Sequence, residues 1–90
     1  MLQQQEIIMK SIKYFSAKWC GPCRTFRPIM EEVAGEESII VEFIDVDNEQ
    51  NKAEKYKVTA VPTIIVEENG IVIDRIIGVI TKQQILERLM

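Results

Sequence analysis

The chain has no histidine, and only two of its 90 residues are cysteine. A zinc or iron–sulfur centre takes about four ligands, so a metal could be held here only with help from carboxylates or a second chain. No metal site is expected. The chain also lacks any block of like charge. Its net charge is −3, with acids and bases interleaved throughout, so the footprint of a nucleic-acid or anionic-membrane partner is missing. No apolar run approaches the roughly 20 residues that span a bilayer, and the opening MLQQQEIIMK has no basic start followed by a long apolar stretch. The sequence as given therefore reads as a cytoplasmic monomer with neither nucleic acid nor membrane as partner. Repeats, linkers and low-complexity segments are absent as well, which leaves one domain, residues 1–90, with a modest core.

What is present is the balance of a soluble globular domain, 47% apolar and 28% charged. KSIKYFS, Lys10 to Ser16, is rich in β-branched and aromatic residues and predicts a strand. From Cys23, the apolar residues Phe26, Ile29, Met30 and Val33 recur at helical spacing. The helix they predict starts within the cysteine motif, holds Pro28, where a kink is expected, and ends at Gly35. IIVEFIDVD, Ile39 to Asp47, is a second strand, its dense apolar run typical of strands covered on both faces. DNEQNKAEKYKV predicts a short surface helix capped by Asp47 or Asn48, with Ala53, Tyr56 and Val58 as its apolar contacts. In TIIVEENGIVIDRII two apolar runs meet at Asn69-Gly70, the pair best suited to a type I′ hairpin turn. Thr81 and Gln84 match a capping box, with Ile85, Leu86 and Leu89 as the buried stripe of a last helix. A helical crossover places the first two strands parallel, and the hairpin adds an antiparallel pair. The fold class is α/β, a mixed four-stranded sheet flanked by three helices.

Both cysteines lie in AKWCGPCRTF, Ala17 to Phe26, where Cys20 and Cys23 are separated by two residues behind the single tryptophan, Trp19. A metal half-site and an inert staple remain as alternatives, but the first lacks ligands, and the second closes too short a loop to restrain the unfolded chain much. The position after a strand and at the start of a helix favours a redox pair. Unpaired N–H groups and the helix dipole there stabilise a thiolate, so the Cys20 pKa should fall below the free value of about 8.5. Gly21 gives a disulfide close approach to the backbone, and Pro22 stiffens the first turn, where its missing N–H costs nothing. Exposed Cys20 would attack a partner disulfide, and shielded Cys23 would resolve the mixed disulfide.

With WCGPC at Trp19 to Cys23, Pro28 in the helix that follows, Val61-Pro62-Thr63 and Gly78, the sequence resembles the thioredoxin family from about Ile12 to Leu89. The resemblance implies the thioredoxin fold and protein-disulfide reduction by the Cys20/Cys23 dithiol. It implies a cis bond before Pro62 and a substrate groove formed by Trp19, Gly21, Pro22, Val61, Pro62 and Gly78. It also implies disulfide-containing proteins as substrates, a thioredoxin-reductase donor of the flavin and NADPH type, and no bound cofactor beyond the redox-active disulfide itself.

Two departures from the family pattern stand out. The buried aspartate expected six residues before the first cysteine is Tyr14, and the lysine that usually accompanies it aligns with Phe43. Losing both charges together avoids leaving one buried without its partner. Tyr14 and Phe43 should then tune how Cys23 loses its proton, to water or to another group, in an uncharged setting. The nine residues before Lys10 are also too few for the extra strand and helix of many members. They supply at most a short fifth strand or one helix, and without that strand Ile39 to Ile44 becomes a sheet edge. A glutaredoxin-like enzyme using glutathione and a binding module or subunit on the same fold are the competing functions.

Overall fold

The computed structural model describes residues 10–36 and 39–90. Its elements are β1 (Lys10–Ser16), α1 (Gly21–Ala34), β2 (Ile39–Asp45), α2 (Gln50–Lys55), β3 (Thr63–Glu68), β4 (Ile71–Ile77) and α3 (Lys82–Arg88). The four strands form one mixed sheet in the order β2-β1-β3-β4. As the crossover and the hairpin require, β1 and β2 are parallel, while β1/β3 and β3/β4 are antiparallel. The short strand or helix expected before Lys10 lies outside the described residues.

Alternation along β1 decides which side chains face which helices. Ile12 and Tyr14 join Ile64, Val66 and Ile76 on one face, packed against Phe26, Met30 and Val33 of α1 and against Ile85 and Leu89 of the α3 end. Phe15, Ile44 and Ile65 point the other way and meet Val46, Tyr56, Val58 and Val61. Tyr14 and Phe15 are adjacent in sequence, are both fully buried, and anchor opposite faces. β3 is covered on both sides, which explains its uninterrupted apolar run.

Local signals are realised where a few neighbouring residues decide the outcome. Asn69 and Gly70 have φ of 52° and 85°, the positive pair that a type I′ turn needs. At the start of α3 the Gln84 N–H donates to Thr81 Oγ1 at 3.1 Å, and the Thr81 N–H donates to Gln84 Oε1 at 2.9 Å. Gly35 ends α1 in an ordinary right-handed conformation, its N–H shared between the carbonyls of Glu31 and Glu32. α1 continues through the exposed Pro28.

Two expectations are corrected. β2 is not covered on both faces: only Ile44 is fully buried and Ile40 is 57% exposed, while its place at an edge among the described strands is the one expected without a fifth strand. It also stops at Asp45, because the chain turns there, with the N–H groups of Asn48 and Glu49 both reaching back to the Asp45 carbonyl. That turn moves the start of α2 downstream. Its N-cap is Glu49, without a side-chain cap bond, rather than Asp47 or Asn48. The Asp47 carboxylate is bonded elsewhere, to Trp19.

Candidate active site

β1 ends in a tight turn in which the Cys20 N–H donates to the Ala17 carbonyl at 3.1 Å. Cys20 is thereby set as the N-cap of α1, with extended backbone, and its Sγ accepts the Cys23 N–H at 3.2 Å. Gly21 and Pro22 fill the first helical positions, where Pro22 has no orphan donor to leave unpaired. Cys20 and Cys23 are joined as a disulfide. The contrast in exposure expected between them is small in this oxidised state, 5% for Cys20 and 2% for Cys23, because the disulfide packs with Ala17 against Val46 and Val61.

The neighbouring wall is the segment before β3. The Val61-Pro62 bond is cis, and the Val61 carbonyl oxygen lies 3.8 Å from Cys20 Sγ. Pro62 is buried, and its carbonyl accepts the Gly78 N–H at 2.9 Å; Gly78 has φ of 97°. Trp19 projects on the other side, 68% exposed, with its Nε1–H bonded to Asp47 Oδ2 at 2.9 Å. A shallow pocket of about 150 Å³ lies between Trp19, Val46, Ala60 and Val61. The residues expected to form a groove are thus assembled around the disulfide from three places: the cysteine turn, the segment before β3 and the end of β4. Asp47 was not anticipated in this group. Its position in DVDNE reads as a helix-capping signal, and only the fold brings its carboxylate to the indole N–H.

Behind Cys23, Tyr14 and Phe43 are opposite each other in the parallel β1/β2 register. The Tyr14 ring meets Phe26 and Phe43 edge-on, each at 5.8 Å between centroids. Its hydroxyl donates to the Cys23 carbonyl oxygen at 2.9 Å. Burial pushes the phenol pKa above its ordinary value, with the Arg27 charge opposing the shift. Tyr14 is therefore a neutral donor near pH 7, not a base.

A family model for thioredoxin matches residues 3–90. The chain belongs to the thioredoxin family. It is 48% identical over 65 residues to thioredoxin from Echinococcus granulosus, covering 71% of this chain and 61% of that one. Thioredoxin H5 of Arabidopsis thaliana is 43% identical over 77 residues, 84% of this chain and 64% of that one. The chain thus spans less than two thirds of the length of each of these relatives. In three dimensions it resembles a mutant thioredoxin from Halobacterium salinarum, with a TM-score of 0.85 at 30% identity, covering 89% of this chain and 71% of that one. The oxidised thioredoxin of Plasmodium falciparum gives a TM-score of 0.80 at 31% identity, covering 90% and 81%. Family membership and the CxxC pair together support thiol–disulfide oxidoreductase chemistry.

The setting of the thioredoxin-type pair is not uniformly uncharged. Tyr14 and Phe43 do remove charge from the buried side, but the Arg27 guanidinium lies 4.3 Å from the centre of the Phe43 ring. Lys18, Arg24, Arg27 and Asp45 line a cleft of about 380 Å³ that also reaches Cys23 and Phe43. The Phe43 ring provides a cation–π seat for Arg27 where the family pattern has a lysine. Around this pair the buried side is uncharged and the cations lie on the cleft. The sequence could have hinted at this through the cationic residues Arg24 and Arg27 one helical turn apart, but their facing β2 depends on the fold.

Proposed function

We propose that this single domain, residues 1–90, is a protein-disulfide reductase in which Cys20 is the attacking and Cys23 the resolving thiol. The observation that carries the reading is the Cys20–Cys23 disulfide at the N-terminus of α1, with Cys20 Sγ 3.8 Å from the Val61 carbonyl oxygen. In the reduced form, the Cys23 N–H aimed at Cys20 Sγ and the dipole of a 14-residue helix both favour the thiolate. That thiolate attacks one sulfur of a substrate disulfide, forming a mixed disulfide and releasing the first substrate thiolate. Cys23 then attacks Cys20 Sγ, the Cys20–Cys23 bond forms, and the second substrate thiolate leaves. Two electrons have passed to the substrate, and the pair itself carries them without a bound cofactor.

Trp19, Gly21, Pro22, Val61, Pro62 and Gly78 provide the surface on which a substrate chain docks, and Tyr14 and Phe43 tune the resolving step. Electrons come from a thioredoxin-reductase-type flavoprotein, and the protein works as a monomer in cytoplasmic electron transport and redox homeostasis. The test is NADPH oxidation with a thioredoxin reductase and insulin as the disulfide substrate. Turnover is expected, with Cys20→Ser inactive and Cys23→Ser trapped as a mixed disulfide. Re-reduction by glutathione alone would instead make the enzyme glutaredoxin-like, and activity surviving Cys20→Ser would overturn the redox reading.

A further inference from the structure

Cys23 must lose a proton before it can resolve a mixed disulfide, and the buried side offers it no base. Tyr14 is neutral, and its hydroxyl is committed to the Cys23 carbonyl oxygen. Phe43, opposite it, has no titratable group. Cys23 also lines the cleft of about 380 Å³ between the β1–α1 turn, α1 and β2, which has room for several waters at about 30 Å³ each. The charged residues that line it together with Cys23 are Lys18 from the turn, Arg24 and Arg27 from α1, and Asp45 from β2. Three are cations, and among the described residues Asp45 is the only carboxylate on the cleft wall.

We propose that Asp45 accepts the Cys23 proton through water in this cleft, in place of the buried aspartate that Tyr14 replaces. This rests on the disulfide-reductase reading above. The Cys23 thiol passes H⁺ along water to the Asp45 carboxylate, which later releases it to solvent. The thiolate attacks Cys20 Sγ, the Cys20–Cys23 bond forms, and the bond from Cys20 to the substrate sulfur breaks. The departing substrate thiolate takes a proton from solvent. Lys18, Arg24 and Arg27 favour the transient thiolate by their charge. Arg24 is held by donation to the Lys18 carbonyl at 2.6 Å, and Arg27 by Phe43 and Glu31.

Asp45 has a structural duty that must be separated from this one: its Oδ1 accepts the Asp47 N–H at 2.8 Å. Asn retains that acceptor and loses the base, so Asp45→Asn is the informative change. Reduced protein is mixed with stoichiometric 5,5′-dithiobis(2-nitrobenzoate) in a stopped-flow instrument. The first release of coloured thiolate reports attack by Cys20, and the second reports resolution by Cys23. Asp45→Asn should slow the second phase about a hundredfold near neutral pH, the low end for a positioned general base. The first phase should stay within about twofold, and Asp45→Glu should restore the second. At about pH 9.5, above the free-thiol pKa of about 8.5, variant and wild type should converge. A second phase unchanged by Asp45→Asn at every pH overturns the proposal, as does an equal slowing at all pH values that glutamate does not restore. A wild type with no second phase, or one that persists in Cys23→Ser, overturns the underlying reading instead.

Discussion

The Tyr14 hydroxyl donates to the Cys23 carbonyl oxygen at 2.9 Å, tying the middle of β1 to the first turn of α1 directly behind the disulfide. A charged pair in this position would act on the thiol, whereas this bond acts on the backbone that carries it. Tyr14→Phe keeps the ring packing on Phe26 and Phe43 and removes only the bond. The Cys23 carbonyl retains its intrahelical role, so the cost should be about 1 kcal/mol, measured by urea unfolding of the oxidised protein.

Tyr14→Asp should behave differently, because it puts a carboxylate among Phe26, Phe43 and Ile64 with no lysine beside it. Several kcal/mol should be lost at pH 7. Burial raises the pKa of such a group, so the folded state holds its proton more tightly than the unfolded one, and stability should recover as pH falls. Unfolding curves at about pH 5 and pH 7.5 give the comparison; equal losses at both would argue against desolvation as the cause.

On the opposite face of the sheet, Glu67 is buried, with Lys13 on Oε1 and the Tyr56 hydroxyl on Oε2 at 2.9 Å. Burial pulls the Lys13 pKa down, but the hydrogen bond and charge of Glu67 outweigh it and leave the ammonium above its ordinary value. Glu67→Gln leaves that ammonium only the longer pairing with Glu42 at 3.8 Å and should cost about 1–3 kcal/mol near neutral pH. With a raised folded pKa, the Lys13 contribution is complete below the unfolded value of about 10.4 and is lost as pH rises through the folded one. Part of the alkaline fall in wild-type stability should therefore be missing in Lys13→Met.

The Asp74–Arg88 pair, at 2.7 and 2.8 Å, fastens α3 to β4 but is far more exposed. The Arg88 hydrogen bond is the main reason that the Asp74 pKa is lowered. Its stabilisation is present above the unfolded carboxyl pKa of about 3.9 and is lost as pH falls through the folded value. Asp74→Asn should cost less than about 1 kcal/mol at pH 7 and nothing in strong acid, since solvent screens the pair. Thermal melts at both pH values would show this.

Which of these features the sequence reveals follows from how locally each is decided. Asn69-Gly70, the Thr81/Gln84 box and the Cys20–Cys23 helix start each depend on a few adjacent residues, and each reads off directly. The apolar run of β2 misleads because it reports side-chain type, not how much of each face the neighbouring helices and loops cover. Asp47 reads as a cap, yet Trp19, 28 positions earlier in the chain, takes its carboxylate. Tyr14 and Phe43 are legible as departures from a family pattern. Their consequences, a bond to the Cys23 backbone and an arginine seated on Phe43, are non-local and need the sheet register and the helix face.

Gly78 connects conformation to substrate choice. Its φ of 97° is a region that L side chains rarely adopt, yet a Cβ built there meets nothing within 4 Å. The cost of Gly78→Ala is therefore conformational rather than steric, about 1–2 kcal/mol. If the backbone relaxes to reduce that strain, the Gly78 N–H moves away from the Pro62 carbonyl it now holds at 2.9 Å, and the wall beside Cys20 shifts with it. The disulfide and its helix N-terminus are untouched, so reaction with a small aromatic disulfide should be unchanged within about twofold. Reduction of insulin, which must lie along that wall, should lose about tenfold in kcat/KM, the effect of removing about 1.4 kcal/mol of binding in the transition state. Parallel loss against both substrates would mean that Gly78 acts on the thiols themselves and not on the docking surface.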